Sequence, residues 1–122
     1  MIKILTPKPI QKEEQEEPVR TKEEILSSLP LKFQKQLNIL IPFLKKYGVT
    51  QIYLFGSLYE GTYNDDSDID IAISGLNPSL YYKIYGIIMY KLKIDCDIIN
   101  LDEKNNGLVE YLKEQKRWIK IG

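Results

Sequence analysis

Apolar positions along the chain fall into two rhythms, one helical and one strand-like. From Leu31 to Tyr47 they recur at Phe33, Leu37, Leu40, Ile41 and Leu44, the three-and-four spacing that lines one side of a helix. Pro42 lies inside this run and predicts a kink, and Gly48 predicts its end. From Val49 to Phe55, β-branched and aromatic residues lead directly into Gly56, the pattern of a buried strand that feeds a turn. Asp68 to Ile73 alternates strictly, with Asp68, Asp70 and Ala72 on one face and Ile69, Ile71 and Ile73 on the other.

The remaining elements are shorter. Thr21 and Glu24 have the form of a capping box and open a helix that ends near Leu29 and Pro30. After a turn at Gly75 to Pro78, a helix is expected from Pro78 or Ser79 to about Leu92, with Tyr82, Tyr85 and Met89 on its packed face. Lys93 to Leu101 is a third β-rich run. Lys104 to Gln115 predicts a weaker helix, because Asn105, Asn106 and Gly107 are poor helix formers. Arg117 to Ile121 alternates as a closing edge strand with Trp118 packed there. Strands and helices in this order predict an α/β fold, a small sheet backed by helices. Residues 1–20 are expected to form a flexible arm, with Pro7, Pro9, Pro18 and the acidic run Glu13 to Glu17, and residues 21–122 the folded domain.

Composition narrows the partners. With 17 basic and 17 acidic residues in 122, the charges cancel, so no global field draws in nucleic acid, which is not the expected direct substrate. The single cysteine excludes an intramolecular disulfide, and no apolar run approaches a membrane span or a signal core, so a cytoplasmic protein with no membrane partner is expected. Cys96 stands between two acids that raise its pKa, and the chain has no histidine to activate it, which argues against a nucleophilic thiol. One domain of this length leaves no room for a large acceptor-binding domain.

The chemistry concentrates between Gly56 and Asp97. Gly56 lets the backbone approach a ligand, and Ser57 adds a hydroxyl beside N–H groups that can face phosphate oxygens. Gly61 limits the segment after the turn to about one helical turn. Asp68 and Asp70, on one strand face about 6–7 Å apart, repel by roughly 2–3 kcal/mol at an effective dielectric near 20, which a divalent cation relieves. Mg²⁺ is a hard octahedral ion that takes a few carboxylates together with water and phosphate. A third acid comes from the next strand, with Asp97 at its centre and Asp95 as the alternative nearer its entrance. Asp65 and Asp66 read as loop residues.

Gly56, Ser57, Gly61, Ser67, Asp68 and Asp70 fill the spacing Gly-Ser-x3-Gly-x5-Ser-Asp-x-Asp, which resembles the minimal nucleotidyltransferases of the DNA polymerase beta superfamily over roughly Leu31 to Ile121. The resemblance implies a nucleotidyltransferase fold with a small mixed sheet, ATP held by Gly56, Ser57 and Ser67, and two Mg²⁺ ions on Asp68, Asp70 and Asp97 as the catalytic acids. Many members carry basic residues where this chain has Leu58, Tyr59 and Glu60. It further implies transfer of AMP to an acceptor hydroxyl, a tyrosine of a HEPN-type toxin in a heteromeric toxin–antitoxin complex, with oligomeric state left open. Two other readings stand beside this one: a catalytically idle antitoxin or binding module of the same fold, and a nucleotidyltransferase acting on small molecules.

Overall fold

The computed structural model describes residues 20–104 and 106–122. The arm expected over 1–20 lies outside the described residues except for Arg20. Two helices lead into the sheet. Helix α1 (Lys22–Ser28) starts at the expected capping box, where Thr21 Oγ1 accepts from the Glu24 N–H at 3.1 Å and Glu24 Oε1 accepts from the Thr21 N–H at 2.8 Å. Helix α2 (Leu31–Lys46) contains Pro42 and buries Phe33, Leu37, Leu40 and Leu44. Ile41 is half-buried at the margin of that stripe.

Four strands form one mixed sheet in the order β3-β2-β1-β4. β1 (Gln51–Phe55) pairs antiparallel with β2 (Ile69–Ser74) and with β4 (Ile119–Lys120), and β2 pairs parallel with β3 (Cys96–Asn100). Because strand side chains alternate, Ile52, Leu54, Ile69, Ile71 and Ile73 face one way and join the α1 and α2 stripes in the main core. Each such fully buried aliphatic side chain contributes about 1.5–3 kcal/mol, so this face holds the fold together. Ala72 faces the other way, in a smaller cluster with Leu101, Val109 and Leu112.

The β2-to-β3 connection is helical but not uniform. It opens with a 3₁₀ turn (Pro78–Leu80), continues as α4 (Tyr81–Gly86) after the five-residue α3 (Gly56–Glu60), and ends in a π turn (Ile87–Lys91). Its buried residues are Ile84 and Ile88, and Tyr82 is 85% exposed. The expected packed face is therefore corrected: Tyr81 is the ring that turns inward, and Tyr82, about 100° further round, faces solvent. Helix α5 (Gly107–Gln115) starts later than expected because Asn106 Oδ1 accepts from the N–H groups of Leu108 and Val109, which sets the start there. The closing strand is shorter than Arg117 to Ile121, and Trp118 stacks on Tyr53 with ring centroids 4.3 Å apart.

Candidate active site

The site begins where β1 ends. Gly56 has φ +71°, a conformation that L side chains resist, and it opens the one-and-a-half-turn helix α3. Gly61, at φ +84°, closes that helix, its N–H donating to the Ser57 carbonyl at 2.8 Å. Phe55 pairs in register with Asp70, so the turn meets the carboxylate strand directly, and a β-carbon on Gly56 would fall 2.1 Å from Asp70 Oδ2. Among the described residues the Ser57 hydroxyl has no hydrogen-bond partner. Ser67 Oγ accepts from the Asn64 N–H at 2.8 Å and braces the loop that presents Asp68.

Residues 58–60 acquire a physical reading here. Leu58 is 2% exposed and packs in the main core, so a cation at that position would point away from the turn. Glu60 is ion-paired with Arg117. The Arg20 guanidinium donates to the Tyr59 carbonyl at 2.9 Å and lies 5.7 Å from the Tyr59 ring centroid. Two arginines remote in sequence thus stand at the end of the helix that the Gly-Ser turn opens. The sequence carries no local sign of either, because only the fold brings position 20 to position 59 and position 117 to position 60.

The acids come together unequally. Asp70 on β2 and Asp97 on β3 are register partners in the parallel pair. The Asp70 pKa is raised from 3.8 to about 6 in all, first by burial, then by the neighbouring Asp97 carboxyl and last by the Asp68 charge. Asp68 is exposed just before β2, and Asp95 is exposed just before β3, its carbonyl accepting from the Ile69 N–H at 3.0 Å. Asp95 does not figure among the charges that shift Asp70. Cys96 is buried between these acids, and desolvation pushes its thiol pKa well up, so it is inert.

Among the described residues no three His, Cys, Asp or Glu side chains are gathered as a ready metal cage. The close pair still fits a magnesium ion. Its donors are hard oxygens, and Mg²⁺ commonly takes one or two carboxylates with the rest of its shell from water and phosphate. Asp68 is exposed one residue before β2 and adds to the negative charge around Asp70.

The family model described as polymerase beta, nucleotidyltransferase matches residues 38–120, from α2 through β4, and so takes in the turn and all three acids. The chain belongs to this nucleotidyltransferase family. Among solved structures, the nucleotidyltransferase domain is similar to a toxin–antitoxin crystallised with AMP-PNP, at 26% identity and a TM-score of 0.53, over 68% of this chain and 69% of that one. A tri-AMPylated HEPN toxin from Shewanella oneidensis in complex with its MNT antitoxin matches at 23% identity and a TM-score of 0.49, over 71% of this chain and 69% of that one. That second likeness is too loose to carry an inference. Among curated proteins no match was found. No helix of the described residues is long and apolar enough to cross a membrane.

Proposed function

We propose that this nucleotidyltransferase moves AMP from ATP to an acceptor hydroxyl with magnesium, and that the acceptor is a tyrosine of a HEPN-type toxin partner. The observation that carries the reading is the in-register pairing of Asp70 with Asp97 beside Gly56, which sets two carboxylates against a turn suited to phosphate. AMP-PNP in the similar toxin–antitoxin structure supports an adenine nucleotide and a toxin as partners. The tyrosine and the HEPN class rest on the resemblance to minimal nucleotidyltransferase antitoxins.

In this reading Gly56 and Ser57 hold the outer phosphates through backbone N–H groups and a hydroxyl. Asp68, Asp70 and Asp97 would hold magnesium, which would supply charge neutralisation at the phosphates and a more acidic acceptor hydroxyl. Asp97, exposed on the outer strand, takes the proton of that hydroxyl in this reading as its oxygen bonds to the α-phosphorus and pyrophosphate leaves. The open layout of the three acids favours one other reading, a catalytically idle antitoxin that acts by contact. Incubation with α-labelled ATP, magnesium and extract from the source cell separates them. Labelling of a partner tyrosine, abolished in Asp68→Ala and Asp70→Ala, supports transfer, and no metal-dependent labelling rejects it.

A further inference from the structure

A cavity of about 390 Å³ lies beside the outer strand β3, lined by Tyr81, Tyr82, Ile98, Ile99, Asn100 and Glu103 among others. Asp68, Asp70 and Asp97 do not line it. The sheet order nonetheless ties it to the chemistry. Asp97 on β3 is opposite Asp70 on β2, and Asp70 is opposite Phe55 on β1, next to Gly56. The acids and the phosphate turn therefore form a row across the strand ends. In phosphoryl transfer the attacking and leaving oxygens lie roughly in line with phosphorus. With pyrophosphate leaving over Gly56 and Ser57 at the β1 end of the row, the attacking hydroxyl has to arrive from the β3 end.

The geometry points to this cavity as the docking subsite for the acceptor polypeptide, receiving an apolar side chain a few residues from the reacting tyrosine and, beside it, a lysine or arginine facing Glu103. This inference rests on the transfer reading above. Ile99 shares the Asp97 face and lies about 7 Å further along the strand, so two to three extended residues span the distance from hydroxyl to cavity. Glu103 is the charged residue of the lining, and its Oε1 accepts from Asn106 Nδ2 at 3.2 Å, which steadies the carboxylate against an incoming cation. Tyr82, 85% exposed and set edge-on to Tyr81 at 5.6 Å, supplies a ring to the lining.

Two carbonyls on the outer edge of β3 are already taken within the chain. The Tyr81 hydroxyl donates to the Ile98 carbonyl at 2.8 Å, and the Glu103 N–H donates to the Asn100 carbonyl at 3.2 Å. A partner therefore engages through side chains in the cavity more readily than by extending the ladder.

Two tyrosine peptides test this, one with leucine three residues from the tyrosine and lysine four away on both sides, the other with glycine at those positions. With α-labelled ATP and magnesium, the first is expected to be labelled with kcat/KM about tenfold higher or more, the gain a filled apolar subsite brings. Tyr82→Ala and Glu103→Gln, both on exposed side chains, are expected to erase that preference while magnesium-dependent ATP binding by calorimetry is unchanged. Transfer to both peptides with a preference that survives the two substitutions, or no preference in the parent protein, overturns the subsite and leaves the transfer reading standing. ATP binding with no labelling of either peptide overturns both.

Discussion

Gly56 and Asp70 are in such close approach that any side chain at position 56 would occupy the place of the Asp70 carboxylate, a β-carbon there lying 2.1 Å from Oδ2. One residue thus joins the two halves of the candidate site. Gly56→Ala should destabilise the fold by about 1–3 kcal/mol through its left-handed backbone and also displace Asp70. Gly61 provides the control, since it too has positive φ but a β-carbon there meets nothing within 4 Å. Gly61→Ala should lower the melting temperature and keep magnesium-dependent ATP binding, and Gly56→Ala should lose both. Thermal melts and calorimetry on the two variants check this.

Asp97→Ala removes the acid proposed to take the acceptor proton and leaves the phosphate turn intact. Turnover should fall about a hundredfold or more, the usual contribution of a general base, with a much smaller change in ATP affinity. Single-turnover labelling beside calorimetry separates the two effects, and normal turnover would remove Asp97 from its role.

The Asp70 carboxyl titrates at about 6 instead of 3.8, first because of burial and then because of its acidic neighbours. The folded state therefore holds this proton more tightly than the unfolded chain, so its stabilising effect is complete below the unfolded pKa and is lost as pH rises through about 6. Magnesium needs the ionised form, so its affinity should rise from pH 5 to pH 7. Melts without magnesium should show Asp70 costing more stability at pH 7 than at pH 5, and added magnesium should raise the melting temperature more at pH 7. Asp70→Asn should abolish both differences.

Leu58→Arg, which would place a basic residue in the turn as many relatives have it, should not strengthen ATP binding. Leu58 is 2% exposed in the core, and a charge there costs more than about 2 kcal/mol of stability. Chemical denaturation measures the loss.

Much of the fold is legible in the sequence because its signals are local. The capping box at Thr21, the α2 stripe and the alternation of Asp70 with isoleucines each state an element and a face within a few residues. The meeting of Asp97 with Asp70 was readable only as far as strand period allowed, and the parallel register supplies the rest. A constant helical period puts Tyr82 on the packed face, whereas the connection starts as a 3₁₀ turn and ends as a π turn and so turns it to solvent. Arg20 and Arg117 carried no local signal near the turn at all, since their neighbours Tyr59 and Glu60 are reached only through the folded chain.

Calorimetric titration of ATP into the protein with and without magnesium decides whether the Asp70 and Asp97 pair with the Gly56 turn forms a metal-dependent nucleotide site. Saturable binding that requires magnesium and disappears in Asp70→Asn is the predicted result. Binding indifferent to magnesium, or retained in full by Asp70→Asn, would contradict it.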